Sequence, residues 1–138
     1  MKTIQYSLAD GIATITFDEP NSPVNTMCLQ WQEDLNELAA QVVKDKDAIQ
    51  GILLASAKTT FFAGADLKAT MRLKPSDASV IYTEIERLKK NFRTIETLGK
   101  PIVSLLNGTA LAAAGKWRCW ATTALPLTIA RSSSACPK

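Results

Sequence analysis

The sequence contains no histidine, and this absence excludes several kinds of site. A Ser-His-Asp triad and a Cys-His pair both need an imidazole, and the usual zinc sites also draw on one. The three cysteines, Cys28, Cys119 and Cys136, have neither CxxC nor metal-ligand spacing. The cysteine pattern is typical of a reduced cytoplasmic protein, and we expect no metal site.

Long apolar runs and a strong charge imbalance are also missing. No apolar run approaches the length of a membrane span. Residues 1–8 alternate in polarity, so they do not form the apolar block of a secretory signal. The formal net charge of +3 is too small to indicate nucleic-acid binding. The 138 residues suit one domain with a sizeable core, with neither membrane nor nucleic acid as a partner.

Acidic residues are absent from the C-terminal part of the chain. All 13 Asp and Glu residues lie within residues 1–111. Residues 112–138 contain four Lys or Arg residues, no acid, two of the three cysteines and two of the three tryptophans. The change falls inside Gly99–Gly115, where an apolar run leads into small residues. The composition therefore predicts two parts, residues 1–111 and residues 112–138.

The beginning of the chain predicts a hairpin and a helix. Thr3–Leu8 and Ile12–Phe17 alternate in polarity on either side of an Asp-Gly turn signal. After a loop with two prolines, Asn25 or Thr26 is expected to cap a helix that ends near Lys46.

The next part predicts two buried strands with a second helix between them. Gly51–Ala55 and Pro101–Leu106 are short continuous apolar runs, as expected of strands covered on both faces. Apolar residues at helical spacing predict a helix over Ser76–Leu98. This order of elements indicates an α/β layered fold.

Two turns of small residues follow these strands and are the candidate sites. Residues 63–66, Ala-Gly-Ala-Asp, follow the first strand, and Gly108–Gly115 follows the second. Small side chains let backbone N–H groups approach a ligand closely. Two converging amides would form an oxyanion hole, in which losing one donor costs roughly 3–4 kcal/mol of transition-state stabilisation. Spacing alone leaves open that Gly64 and Gly108 only turn the chain.

Four stretches together resemble the enoyl-CoA hydratase/isomerase (crotonase) family. They are the hairpin end TFDEP, the Pro23–Thr26 helix entry, FFAGADL at 61–67, and KPIVSLLNGTAL at 100–111. The resemblance is continuous from residue 1 to about residue 111. The segment SPVNTM at 22–27 is most similar to the N-terminal hydratase domain of multifunctional fatty-acid oxidation alpha subunits. The resemblance implies the N-terminal part of a spiral of ββα units, usually assembled as trimers or within a multifunctional complex.

The resemblance also implies a substrate, a reaction and a site. The family binds acyl-CoA as substrate, without a separate cofactor, and polarises the thioester carbonyl with two backbone amides. Hydration of trans-2-enoyl-CoA in fatty-acid β-oxidation, or isomerisation, would follow. By motif position the resemblance assigns these amides to Ala65 and Ala113. The residues implied to line the CoA site, with Asp66 bracing the turn, are Val24, Asn25, Ala63, Gly64, Asp66 and Leu67.

The sequence departs from the family where the catalytic carboxylates are expected. The family's G-G-G-x-E turn falls on residues 112–116, so Lys116 stands in place of the first glutamate. The second family glutamate, in a later G-L-P-E segment, has no counterpart. Reverse translation in the frame one nucleotide earlier permits both, as Gly-Gly-Gly-Gly-Glu-Val and Ile-Lys-Leu-Gly-Leu-Pro-Glu.

We therefore expect residues 112–138 to be an out-of-frame tail outside the family fold. On this interpretation the chain is a truncated, catalytically impaired hydratase. The alternatives are a non-catalytic fragment that binds acyl-CoA and a fragment that binds another protein through its amphipathic helices.

Overall fold

A single five-stranded sheet organises the part of the chain that the computed structural model describes, residues 1–111 and 123–126. Its strands lie in chain order, and β1 is antiparallel to β2 while the other neighbours are parallel. The Asp10-Gly11 turn has positive φ at both residues, as a tight hairpin requires. The strands are β1 Ile4–Ala9, β2 Ile12–Phe17, β3 Gly51–Ser56, β4 Ile102–Leu106 and β5 Thr123–Pro126.

Within residues 1–111, three helices accompany the sheet. They are α1 Leu29–Lys44, the short α2 Leu67–Thr70, and α3 Ala78–Glu96, which a 3-10 turn at Pro75–Asp77 precedes. Helix α1 contacts β1, and α3 lies against α1. No helix within the described residues is long and apolar enough to cross a membrane.

An aromatic cluster fills the core between the sheet, α1 and the segment after β3. Phe17 of β2 has its ring centroid 5.9 Å from that of Phe61 and 5.6 Å from that of Phe62. Trp31 of α1 lies 5.3 Å from Phe62 and 6.1 Å from Phe92 of α3. The two phenylalanines of FFAGADL are therefore buried anchors, and they fix where the rest of that segment lies.

The sequence predicted the order of these elements correctly but the start of α1 wrongly. The helix begins at Leu29 after Cys28, not at Asn25 or Thr26. Neither of those side chains is free to cap it. The Thr26 N–H and hydroxyl both donate to Glu19 Oε2 at 2.9 Å, and the Asn25 amide bonds to other segments, as described below.

The second helix is also shorter than predicted. It covers Ala78–Glu96 rather than Ser76–Leu98, and of its predicted apolar stripe only Phe92 and Ile95 are buried. Strand β5 lies within residues 112–138, the stretch predicted to fall outside the fold. The boundary at residue 111 stays a prediction.

Candidate functional site

Three extended segments, 25–27, 61–65 and 109–111, lie side by side and form what we call the loop ladder. Isolated parallel bridges join Met27 to Ala65 and Phe62 to Ala110. On one side, the Ala63 N–H donates to the Asn25 carbonyl at 2.8 Å, and the Met27 N–H donates to the Gly64 carbonyl at 2.9 Å. The ladder brings together the two small-residue turns that the sequence singled out.

The other side of the central segment is held by the residues after β4. The N–H groups of Phe61 and Phe62 donate to the Thr109 carbonyl at 3.0 and 3.2 Å. The Leu111 N–H in turn donates to the Phe62 carbonyl at 3.0 Å. The segment 61–65 is thus fixed from both sides by backbone bonds.

Ala65 is an exposed residue at the end of this ladder, and its N–H donates to none of the described residues. A trans peptide unit points its carbonyl and its N–H in opposite directions. Because the Gly64 carbonyl faces Met27, the Ala65 N–H faces the other side of the segment, where Thr109–Leu111 lies. A free amide in this position can donate to a ligand oxygen.

Gly64 and Gly108 have different physical roles in the ladder. Gly64 is buried and adopts φ +97°, a conformation that a side chain would strain. Gly108 has no such φ, but a Cβ there would stand 2.3 Å from the carbonyl oxygen of Thr59. The two backbones therefore approach so closely at Gly108 that only glycine fits. The alternative that both glycines merely turn the chain does not describe Gly108.

Asp66 and Leu67 follow Ala65 and begin α2. The Asp66 carboxylate accepts the Ala69 N–H at 3.1 Å, and the Asp66 carbonyl accepts the Thr70 hydroxyl at 2.8 Å. Asp66 thus caps α2, and its role in bracing the ligand-binding turn stays a prediction. Leu67 is exposed beside it. Their contribution to ligand binding stays a prediction.

Asn25 is fully buried, and its side chain ties several segments together. Its Oδ1 accepts the Glu19 N–H at 2.9 Å, and its Nδ2 lies 2.9 Å from Ser56 Oγ and 3.3 Å from the Phe61 carbonyl. Val24 is half-buried, in a small turn closed by the Ser22 hydroxyl. The side-chain amide of Asn25 is therefore not free to bind a ligand. Asn25 can contribute to a binding site only by holding the neighbouring segments in place.

Cys28 lies half-buried at the start of α1, close behind the ladder. Burial raises the pKa of its thiol, and the negative charge of Glu19 adds to this effect. The thiol is therefore neutral near pH 7 and unsuited to act as a nucleophile. Among the residues described, no group of histidine, cysteine or acidic side chains could hold a metal ion.

Ala113, the residue implied as the second amide, and Lys116 lie outside the described residues. Sequence reasoning also missed two polar residues beside the ladder, Ser56 and Asn107. Asn107 directly follows β4 and precedes Gly108. An Asn-Gly pair is an ordinary turn signal, so nothing in the pattern indicated a specific bonding role.

Comparisons with known proteins agree on one family. The model of the family described as enoyl-CoA hydratase/isomerase matches residues 7–118. A fatty acid oxidation complex subunit alpha from Shewanella halifaxensis is 31% identical over 107 residues, which are 74% of this chain and 14% of that protein.

Solved structures show the same fold. A putative enoyl-CoA hydratase/isomerase (crotonase) from Legionella pneumophila superposes with a TM-score of 0.74 at 16% identity, over 91% of this chain and 48% of that one. An enoyl-CoA hydratase from Bacillus anthracis gives a TM-score of 0.74 at 18% identity, over 89% and 46%. The chain thus spans about half the length of these structures and much less of the curated relative. It belongs to the enoyl-CoA hydratase/isomerase family.

Proposed function

We propose that this chain binds acyl-CoA thioesters and polarises the thioester carbonyl with the Ala65 N–H, while its hydration of trans-2-enoyl-CoA is impaired. The observation that carries the proposal is the Ala65 amide, which is exposed, unbonded within the described residues, and held on a backbone ladder. A fixed amide donates at any pH, and it stabilises an oxyanion without reorganising. In this proposal the Ala113 amide is the second donor.

Impaired hydration follows from the residue that occupies the family's carboxylate position. Hydration needs carboxylates that move protons, a contribution of roughly 10²–10⁴-fold in rate. Lys116 stands at the first of these positions and cannot accept a proton while it is charged. Carbonyl polarisation needs no such group. Binding can therefore persist where turnover is lost.

The binding experiment compares two ligands that differ only at the carbonyl. Butyryl-CoA carries the thioester oxygen, whereas the thioether S-butyl-CoA lacks it. Wild-type protein should bind the thioester more tightly, and Ala65→Pro, which removes the N–H, should abolish that preference and leave thioether binding unchanged. Equal affinity of the wild-type protein for the two ligands would contradict the proposal.

A hydratase assay with crotonyl-CoA tests the impairment. We expect turnover at least 100-fold below that of an intact family member measured alongside, in line with the loss of a proton-transferring group. Turnover near the intact level that survives repeated purification would show that hydration is not impaired.

We extend the proposal to the origin of residues 112–138, which we interpret as a tail read out of frame. The loss of all acidic residues after residue 111 supports it independently of the family comparison. The coding DNA decides: if a single nucleotide was lost near the Leu111 codon, the neighbouring frame that starts one nucleotide earlier should encode Gly-Gly-Gly-Gly-Glu-Val. An intact frame without that continuation contradicts it.

A second candidate function is binding to another protein. Large apolar side chains are exposed on α2, just after it and on the first half of α3, among them Leu67, Met71, Val80 and Tyr82. A module of this kind predicts no affinity for CoA thioesters. The butyryl-CoA titration therefore separates the two functions.

Cytoplasmic location and assembly into trimers or a larger complex remain proposals, which fractionation and light scattering can test.

A further inference from the structure

The segment that carries Ala65 begins in a small polar turn, Ser56–Thr60, which we call the Ser56 turn. The Ser56 hydroxyl donates to the Thr60 carbonyl at 2.8 Å and accepts the Lys58 N–H at 3.0 Å. It also accepts a hydrogen bond from Asn25 Nδ2 at 2.9 Å. One hydroxyl therefore closes the turn on itself and attaches it to the neighbouring segment of the loop ladder.

Asn107, the first residue after β4, holds the same turn from the opposite side. Its Nδ2 donates to the Ser56 carbonyl at 3.3 Å and to the Lys58 carbonyl at 2.5 Å. Both amide hydrogens can thus be used on this one turn. Its Oδ1 is buried and has no partner within the described residues.

The residues after Asn107 continue the contact along the same path. Gly108 lies against the backbone of Thr59 so closely that a Cβ would come within 2.3 Å of its carbonyl oxygen. The Thr109 carbonyl then accepts the N–H of Phe61 at 3.0 Å. Residues 107–111 therefore follow residues 56–62 step by step, and Asn107 makes the only side-chain contribution to this alignment among the bonds described.

We propose that Asn107 is a positioning residue for carbonyl polarisation, acting through the Ser56 turn to set the direction of the Ala65 N–H. The inference rests on the proposed function and adds that the Asn107 side chain sets the orientation of the Ala65 N–H. A hydrogen bond to an oxyanion depends steeply on angle, so a small rotation of segment 61–65 weakens it. Asn107 is a poor candidate for direct ligand contact because its amide hydrogens are committed to the turn.

The decisive variant is Asn107→Asp, which keeps the size of the side chain but cannot donate when ionised. It places a carboxylate against two carbonyl oxygens and should push the turn away. Asn107→Ala removes the bonds without adding repulsion and should act in the same direction more weakly. The matched control is Asn91→Asp, since Asn91 Nδ2 donates to Asn36 Oδ1 between α3 and α1, away from the ladder.

The first readout needs no ligand. Amide hydrogen exchange at Phe61, Phe62 and Ala63, whose N–H groups are bonded in the ladder, should become about tenfold faster in Asn107→Asp. Exchange within α1 should stay unchanged. Asn91→Asp should leave the ladder amides at the wild-type rate. Unchanged ladder exchange in both Asn107 variants would overturn the inference, whatever the ligand measurements give.

The second readout is the carbonyl stretching frequency of bound butyryl-CoA labelled with ¹³C at the thioester carbon. A hydrogen bond to the carbonyl lowers this frequency. A loss of protein stability alone does not change the frequency of the bound ligand. The shift should be full in wild type and Asn91→Asp, smaller in Asn107→Ala and smallest in Asn107→Asp. The preference for butyryl-CoA over S-butyl-CoA should fall about tenfold in Asn107→Asp.

The outcomes separate this inference from the function beneath it. A full shift in wild type and in both Asn107 variants would overturn the positioning role and leave carbonyl polarisation standing. No shift in wild type would overturn the proposed function, and the catalytic meaning of Asn107 with it. The exchange rates would still report whether Asn107 holds the ladder.

Discussion

Helices α1 and α3 carry apolar residues at the same helical spacing, yet they are covered to very different extents. Helix α1 buries Trp31, Leu35, Leu38 and Val42 along its whole length. Helix α3 buries only Phe92 and Ile95, near its end. In its first half Val80 and Tyr82 are 65% and 67% exposed. The same periodicity therefore describes one helix that is covered along its whole length and one that contacts the core only through its second half, at Leu88, Phe92 and Ile95.

The polar contacts of the two helices differ in the same way. Asp34 of α1 accepts a bond from Thr3, just before β1, and Asp45, just after α1, accepts one from Tyr6 of β1. Helix α3 has one such bond among the described residues, from Asn91 Nδ2 to Asn36 Oδ1 of α1, whereas its three ion pairs join residues of α3 to one another. Bonds between elements fix a helix in the fold, whereas bonds within a helix only support its own turns. The comparison teaches that amphipathic spacing specifies a helix but not how much of it is covered.

The sharpest test of this contrast removes one apolar side chain from each helix. Leu38→Ala in α1 deletes a fully buried side chain and should cost about 2–5 kcal/mol of unfolding free energy. Ile85→Ala in α3 deletes one that is 44% exposed and should cost less than about 1 kcal/mol. Urea unfolding of both variants measures this. Similar losses would mean that the first half of α3 is covered in solution.

The sequence predicts those features of the fold that depend on a residue pattern within one element. The hairpin, the helices and the buried strands follow from spacing within each element, and their order was predicted correctly. The covered part of α3 could not be predicted, because it depends on where α3 meets Trp31 and Asn36 of another helix. The apolar periodicity of α3 does not indicate where along its length α3 packs against α1.

The candidate site divides in the same way. The segment 61–65 could be singled out because small residues after a buried strand form a local pattern, whereas the choice of the Ala65 amide within it rests on the family resemblance and stays a prediction. The roles of Ser56 and Asn107 could not be found from the sequence. Ser56 bonds to Asn25 and Asn107 bonds to the carbonyl of Lys58, and both partners are distant in sequence. The expectation that Asn25 caps α1 fails for the same reason, because the partners of its side chain lie on other segments.

The second prediction concerns Asp34, which joins α1 to the residues just before β1. Asp34 Oδ2 accepts the N–H groups of Lys2 and Thr3 at 2.7 and 2.6 Å and the Thr3 hydroxyl at 2.7 Å. Burial opposes its charge, but the bonds from Thr3 and Lys2 outweigh burial and lower its pKa. Asp34→Asn should cost about 1.5–3 kcal/mol at pH 7, the range of hydrogen bonds to a charged group.

The pH dependence of this cost has a definite sign. Because the pKa of Asp34 is lower in the folded state than in the unfolded chain, its contribution is complete above pH of about 4. It is lost as the pH falls through the lowered folded value. The gap between wild type and Asp34→Asn should therefore close in acid. Glu37→Gln, at an exposed carboxylate one turn away, is the control and should show a much smaller gap throughout.

The third prediction compares the two tyrosines at alkaline pH. Burial, together with the hydrogen bond to Asp45 and its negative charge, raises the pKa of Tyr6 from 10.0 to about 12. A raised folded pKa means that its contribution is complete below pH of about 10 and is lost as the pH rises through about 12. The melting temperature of Tyr6→Phe should therefore fall less over this range than that of wild type. Tyr82→Phe, at an exposed position of α3, should follow the wild-type curve.

The smallest effect is expected from the ion pairs of α3. Glu84 pairs with Arg87, and Arg93 pairs with Glu96 at 2.8 Å, both between partly exposed side chains three residues apart. Such pairs contribute little because solvent and salt screen them and because fixing two long side chains costs entropy. Glu84→Gln should lower the melting temperature by no more than about 1 °C, and 1 M NaCl should remove the difference. A larger, salt-resistant drop would show that this half of α3 is held by contacts beyond its own turns, and the contrast with α1 would then be weaker than the buried residues indicate.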